Sequence, residues 1–177
     1  GIEITTPIYI TQDGYLFPDE HSIMIMKKPL HGEGHLHKLG SGTLVLETAN
    51  SYQWNTYLTD GNLLITHQNH LGEGGIYFQG GELAIFENGI VDKQLFLEKE
   101  AKITIPTHTK VTWKGPFQGK GSLRKKGLGK LTLKGEKTLP ASSSLYILEG
   151  TLRNIWNNQT SDFIWKDSGP KKSDIFF

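Results

Sequence analysis

The chain has 177 residues, of which 36% are hydrophobic and 21% are charged, with 21 glycines and no cysteine. This composition is typical of one globular domain with a sizeable core, and it excludes a disulfide framework and thiolate chemistry. The formal net charge of +1 gives no reason to expect nucleic acid or an anionic membrane as a partner. No apolar run reaches the ~18 residues of a membrane-spanning helix.

The first half of the chain has the pattern of short strands separated by turns. Residues 2–10 alternate and predict a strand interrupted at Pro7, and the Gln-Asp-Gly sequence at 12–14 predicts a turn. Residues 22–26 form an apolar strand candidate, and a glycine-rich alternating segment follows as far as Thr66. Segments with helical spacing, an N-cap and a stop signal are nearly absent.

The second half of the chain continues the strand pattern. A glycine corner at 72–75 precedes it, and the Asn-Gly pair at 88–89 is a turn signal. The strand candidates are residues 76–78, 83–86, 91–97, 101–105, 109–113 and, last in the chain, 163–165.

An internal repeat relates the two halves. Every second residue of 119–133 is Gly, Leu or Lys, and the same series occupies 32–46, at a constant offset of 87 residues. A period of two places these residues on one face of a strand, and the glycines mark tight corners. We therefore assign two copies, at approximately 23–66 and 110–155, within a single segment that spans 1–177.

The two copies resemble the autotransporter-associated β-strand repeat of Gram-negative passenger domains. The shared pattern is Gly-x-Gly-x-Leu-x-Lys-x-Gly-x-Gly-x-Leu-x-Leu, with an Ala-Asn-Ser-Tyr corner at 49–52 and Gly-x-Leu closes at 61–63 and 150–152. The resemblance covers roughly 23–155 and implies an all-β chain, a fragment of a longer right-handed parallel β-helix. At roughly 20–25 residues per turn, the chain would supply about seven or eight turns. A sandwich or barrel of short strands would not need such a repeat.

The resemblance also implies that the chain is part of a longer exported protein. Gly1 is not an initiator and no signal-peptide pattern follows it, so we expect the signal peptide and any catalytic domain outside these residues. A C-terminal outer-membrane β-barrel is expected in the full-length protein. The expected location is secreted or on the bacterial cell surface. The expected partners are host cell-surface or matrix proteins or glycans, or other passengers through self-association.

The ionisable residues include one metal-binding candidate and no catalytic pattern. His31, His35 and His37 cluster, and the last two share a strand face that could hold a metal. The second copy has Gln, Ser and Arg at these positions, which are ordinary solvent-facing residues. The Asp-Ser-Gly-Pro sequence at 167–170 lacks the surroundings of a protease nucleophile and predicts a turn. We therefore expect no enzyme activity, no metal and no cofactor.

Aromatic residues are the candidates for ligand contact. A binding stripe could draw on Tyr52, Trp54, Tyr57, Tyr77, Phe78, Trp113, Trp156 and Trp165. Trp113 matches Met26 of the other copy, so it is expected in the core. Tyr52 and Trp54 lie at a corner with polar neighbours, and we predict that they contact a ligand at the surface.

Two functions fit the resemblance. The first is a non-catalytic adhesive stalk of a bacterial virulence factor. The alternative is the C-terminal stem or folding platform of an autotransporter toxin or serine protease, whose catalytic domain would precede Gly1. A polysaccharide-cleaving β-helix would need acidic pairs that recur at each turn, and the sequence has none.

Overall fold

The chain winds as a coil of short strands joined by tight corners. The computed structural model describes residues 1–140, 143–156, 159–165 and 174–176. In the first half of the coil the strands are β1 Ile2–Ile4, β2 Ile8–Ile10, β3 Asp13–Leu16, β4 Ile23–Met26, β5 Leu30–Gly32, β6 His35–Lys38, β7 Thr43–Leu46, β8 Ser51–Tyr52, β9 Thr56–Leu58, β10 Asn62–Ile65, β11 Ile76–Phe78 and β12 Glu82–Ile85. In the second half they are β13 Gly89–Val91, β14 Leu95–Leu97, β15 Ala101–Thr104, β16 Lys110–Trp113, β17 Phe117–Gly119, β18 Leu123–Lys126, β19 Lys130–Leu133, β20 Lys137–Thr138, β21 Ser144–Ile147, β22 Gly150–Trp156, β23 Gln159–Trp165 and β24 Asp174–Phe176.

Successive strands occupy three faces in rotation, so three strands complete one turn of the coil, which we call a rung. The first face has the order β1-β4-β7-β10-β12-β15-β18-β21, and the third has β3-β6-β9-β11-β14-β17-β20. The second face consists of β2-β5-β8 and, further along, β13-β16-β19-β22. Neighbours within these series pair in parallel, whereas β24 and β23 pair antiparallel with β21 and β22 at the end of the coil.

The pairing register shows how long each rung is. Thr43 pairs with Asn62, and Leu123 pairs with Leu145, so a rung contains 19 to 22 residues. The first face carries eight such strands in parallel order. The all-β parallel β-helix expected from the resemblance is therefore confirmed, with about eight rungs.

The core is a set of side-chain columns that run along the coil axis. On the first face, Leu44, Leu63 and Leu83 occupy matching positions on consecutive rungs, and all three are fully buried. Neighbouring strands are about 4.8 Å apart, so each side chain packs on its equivalent one rung away. Burial therefore depends on stacking between rungs. Met26 and Trp113 are both fully buried, which confirms the core position expected for Trp113.

The two copies of the repeat lie on different faces of the coil. In the first copy, the strand that contains Lys38 belongs to the third face, whereas its counterpart with Lys125 belongs to the first face. The 87-residue offset therefore equals four rungs and one additional face. The repeat specifies a strand-corner-strand unit, and this unit fits at different corners of the coil.

A buried lysine is the distinguishing feature of this unit. Lys38 stands in the inward column between Leu16 and Leu58 and is 0% exposed. Its Nζ donates hydrogen bonds to the carbonyl oxygens of Leu39, Gly40 and Asp60 at 2.8, 2.7 and 2.9 Å. The ammonium group therefore joins two successive corners.

Lys125 repeats this arrangement on its own face. Its Nζ donates to the carbonyl oxygens of Lys126, Gly127 and Glu149. The corner glycine has φ +70° at Gly40 and +74° at Gly127, a conformation that residues with a Cβ rarely adopt. Burial lowers the pKa of both lysines to about 8, and the nearby Asp60 or Glu149 carboxylate opposes that shift.

Two local predictions differ from the structure. Residues 12–14 were expected to form a turn, but β3 begins at Asp13 because the chain must pair with β6 on the third face. Residues 91–97 were expected to be one strand, but a corner at 92–94 divides them between the second and third faces. Among the described residues, no helix is long and apolar enough to span a membrane.

Candidate binding surface

The regular coil is interrupted once on the second face. On the fourth rung, the position of a strand is taken by a 3₁₀ helix at Gln68–His70. The His67 side chain caps this helix by accepting a hydrogen bond from the Asn69 amide. A side chain that bonds a nearby main-chain group in this way gives the backbone an alternative to strand pairing. The interruption opens a gap between β8 and β13.

A groove lies beside this interruption, at the corner between the second and third faces. Gln68 and Asn69 of the 3₁₀ helix line one part of it, and Glu73, Gly74 and Gly75 follow on the same rung. The corner at 92–94 lines it on the next rung, and the cavity has a volume of about 440 Å³. This volume lies within the range of small-molecule sites in proteins, which is about 300–1,000 Å³.

The glycines are required where this corner packs against the previous rung. A Cβ on Gly74 would lie 2.6 Å from the carbonyl oxygen of Trp54. The Gly75 amide donates to Asn55 Oδ1 at 2.9 Å. The rungs at this corner are therefore in main-chain contact, and a larger side chain at Gly74 would push them apart.

The charges of the groove are two carboxylates and one ammonium group. Lys93 Nζ donates to the carbonyl oxygen of Gly72, which fixes this side chain against the corner. Burial lowers the pKa of Lys93, and the carboxylates of Glu73 and Asp92 oppose that shift. Glu73, Asp92 and Lys93 are the ionisable residues of the lining, so the groove has a net charge of −1.

Tyr52 does not lie on the surface, and its predicted role as a surface ligand contact is wrong. The residue is 0% exposed, and its hydroxyl is 2.6 Å from Thr56 Oγ1 inside the coil. A Cβ on Gly72 would lie 2.2 Å from the Tyr52 ring, so the ring fills the space that this glycine leaves. Burial raises the pKa of Tyr52 to about 12. The corner expected at 49–52 contains the short strand β8, which directs this ring inward.

Trp54 is at the surface, as the sequence predicts, and adjoins the groove. The residue is 53% exposed. Its carbonyl oxygen accepts a hydrogen bond of 3.3 Å from the amide of Gly74 in the groove lining. On the other side, its ring lies 5.9 Å from the His35 ring, measured between centroids. Ligand contact by Trp54 stays a prediction.

A column of stacked aromatic rings follows the outer surface of the third face. Its members occupy one register position on five consecutive rungs. Their ring centroids are 3.9 to 4.8 Å apart with interplanar angles of 5° to 24°. The aromatic column consists of Tyr15, His37, Tyr57, Tyr77 and Phe96.

Stacking in the column covers the ring faces. A sugar or another ring packs on the face of an aromatic side chain, and here each inner face already contacts a neighbouring ring. The main role of the aromatic column is therefore structural, because its stacked rings stabilise the contacts between five consecutive rungs. His37 also lies 3.5 Å from the Asp13 carboxylate, measured from Nε2 to Oδ1.

The structure also shows where other residues that the sequence singled out as candidate site residues lie. His35 and His37 share the outer face of β6, opposite the buried Leu36, as the alternation predicts. Within the described part of the chain, no group of three His, Cys, Asp or Glu side chains is placed to hold a metal. Phe78 is buried in the core. The 167–170 sequence and the side chains of Trp156 and Trp165 lie outside what the structure describes.

The groove residues were not among those that the sequence singled out. Gln68, Asn69 and Asp92 are single polar residues between strands, and nothing in their pattern distinguishes them from solvated corners. The signals that were present are the four-residue Gly-Glu-Gly-Gly corner at 72–75 and the polar sequence before it. These mark a departure from the strand period, and that departure is what opens the groove.

The chain is similar in sequence to the Adhesin BmaC autotransporter of Brucella suis biovar 1 (strain 1330), to which it is 33% identical over 107 residues. The match covers 59% of this chain but only 3% of the adhesin, so the chain corresponds to a small part of that protein's length. No protein-family model and no solved structure matches the chain. The similarity to an autotransporter adhesin and the parallel β-helix together confirm the resemblance of this chain to autotransporter passenger domains.

Proposed function

We propose that this chain is a non-catalytic β-helical segment of an exported autotransporter adhesin, which acts as a rigid stalk and contributes an adhesive surface. The observation that carries the proposal is the similarity to an autotransporter adhesin over 107 residues of a parallel β-helix. The bacterial surface, or the medium after release, is the corresponding location. The similarity to an adhesin favours this function over the stem of a toxin or a protease.

The architecture suits a stalk. Consecutive rungs are held together by main-chain pairing on three faces, by the buried columns, and by the aromatic column outside. Length in such a coil grows by stacking rungs, each of which contacts only its neighbours. A long passenger built in this way can hold surface sites at a distance from the membrane.

The proposed partners are proteins or glycans of a host cell surface or matrix. Trp54 supports this, since an exposed tryptophan beside a groove provides a large contact surface with little conformational entropy to lose. Self-association of passengers through exposed side chains is a second possible contact, and a net charge near zero would not oppose it.

The test is binding of the purified chain, carrying a fluorescent label, to cultured host cells and to immobilised matrix glycoproteins. Saturable binding that Trp54→Ala weakens and Tyr9→Ala does not is the expected result. Tyr9 is the matched control because it is also an exposed aromatic residue, at 73%, and lies two rungs away from Trp54. Absence of binding by a chain with an intact β-rich circular dichroism spectrum would refute the adhesive role.

A further inference from the structure

The groove beside the 3₁₀ helix has the chemistry of a sugar site. Its free polar groups are of the kinds that pair with hydroxyls: carboxylates at Glu73 and Asp92, and the amide of Gln94. A carboxylate accepts from two neighbouring hydroxyls at once, and an amide can donate and accept together. All lining residues are polar, charged or glycine, so an apolar ligand is a poor fit.

An exposed aromatic residue stands at the upstream border of this groove. The indole of Trp54 is not part of the aromatic column, so its faces are not both covered by stacked rings. The main-chain bond between Gly74 and Trp54 fixes the backbone of this residue against the groove, and its ring lies outside the groove lining, beside His35. Pyranose rings present an apolar C–H face that packs on aromatic rings and hydroxyls that need polar partners. The groove offers the polar partners, and Trp54 offers an exposed ring next to it.

The charges decide which class of sugar the groove can take. The one ammonium group, on Lys93, is partly buried and already donates to the carbonyl oxygen of Gly72. Two carboxylates remain near it, and they repel sulfate and uronate groups. We propose that the groove binds an uncharged sugar or an amino sugar of a glycan, with Asp92 and Gln94 bonding its hydroxyls and Trp54 packing on an adjoining sugar of the same glycan. This inference rests on the proposed function and names the ligand class of its adhesive surface.

The test uses the whole chain and a panel of immobilised oligosaccharides. The panel contains neutral hexose chains, N-acetylhexosamine chains, chitosan oligomers as amino sugars, and heparin as the sulfated comparison. Binding is measured by surface plasmon resonance at physiological salt. The expected result is saturable binding to at least one neutral or amino sugar and no comparable binding to heparin.

Two independent variants locate that binding in the groove. Trp54→Ala, and separately the double variant Asp92→Ala/Gln94→Ala, should each weaken binding by about tenfold, as expected when a ring contact or a pair of hydrogen bonds is lost. The controls Tyr9→Ala and Glu20→Ala change an aromatic and an acidic side chain away from the groove. Thermal unfolding of every variant confirms that the chain is folded.

The outcomes separate this inference from the proposed function. Sugar binding that neither groove variant weakens, preferential binding to heparin, or no binding to any member of the panel would overturn the inference. If the chain still binds host cells in any of these cases, the adhesive function stands without the groove. Groove-dependent sugar binding without binding to host cells would support the inference and refute the adhesive role towards those cells.

Discussion

Replacing Lys38 by methionine removes the ammonium group that joins two corners of the coil. Methionine matches the unbranched lysine stem, so the column between Leu16 and Leu58 stays filled. The three hydrogen bonds from Nζ are lost, and each contributes about 0.5–1.5 kcal/mol once desolvation of its groups is counted, which gives about 1.5–4.5 kcal/mol. We therefore expect a destabilisation of about 2–4 kcal/mol at pH 7.

Urea unfolding followed by far-ultraviolet circular dichroism measures this change. Lys125→Met should have an effect of similar size, because the same three-carbonyl arrangement recurs there. Lys102→Met is the matched control, since Lys102 lies on the outward side of β15, between the buried residues Ala101 and Ile103. A Lys38→Met chain that unfolds at the same urea concentration as the parent, or at a higher one, would refute the assignment of Lys38 as a stabilising clamp.

Three further changes test other parts of the structure. Burial lowers the pKa of Lys38 and Lys125 to about 8 in the folded chain from 10.5, so the unfolded chain binds more protons between these values. The free energy of unfolding should therefore rise from about pH 8 to about 10.5. In denaturant titrations of the Lys38→Met/Lys125→Met variant this rise should be much smaller, with the part due to Lys93 and Lys137 remaining because burial lowers their pKa as well, and an unchanged rise would contradict this account. Tyr57→Ala removes a ring whose centroid lies 4.6 Å from that of His37 and 4.7 Å from that of Tyr77. The variant should lower the free energy of unfolding by about 1–3 kcal/mol, as measured by thermal unfolding. Tyr57→Phe keeps the stacked ring, so equal stability of the two variants would show that stacking contributes nothing. Gly121→Ala would place a Cβ 1.8 Å from the Lys99 carbonyl oxygen and should lower the free energy of unfolding by about 2–3 kcal/mol. The control Gly89→Ala places a Cβ with no atom within 4 Å and should change the free energy of unfolding by less than about 0.5 kcal/mol. Equal melting temperatures of the two variants would contradict the close packing at Gly121.

Two kinds of sequence signal predicted the strands and corners of the fold. Alternation at a period of two identifies residues that face the core, and the structure buries Leu36, Leu44 and Leu46 accordingly. Glycines mark corners because the chain must turn within one or two residues, as at Gly40 and Gly127 with their positive φ. These signals predict short strands and corners, and the resemblance to a known repeat implied that the strands wind into a parallel β-helix.

Two features were beyond what alternation can predict. The side of a strand that faces the core depends on the geometry of the corner before it, and a shift of one residue reverses every side chain. Tyr52 is an example, because β8 turns its ring inward where a surface corner was expected. The offset of the two copies by one face is a second example. The number of residues in a rung depends on the lengths of its corners, and alternation within strands does not give those lengths.

The groove could not be predicted for a related reason. It arises where a 3₁₀ helix replaces a strand, and its residues come from two rungs that are about twenty positions apart in sequence. The sequence does not show that these residues are neighbours in space. That becomes clear only when the register between β8, the 3₁₀ helix and β13 is known. Local sequence did indicate two parts of the surface: Trp54 from its polar neighbours, and His35 and His37 from alternation.

Adhesion of living bacteria tests the adhesive role most directly. The chain would be displayed on the outer surface of a non-adherent Gram-negative strain through an unrelated membrane anchor, and bacteria bound to cultured host cells would be counted. The expected result is a clear increase in adhesion over the anchor alone, reduced by Trp54→Ala and unchanged by Tyr9→Ala. Adhesion no greater than that of the anchor alone, with the folded chain detected at the surface by antibody, would contradict an adhesive role for this segment.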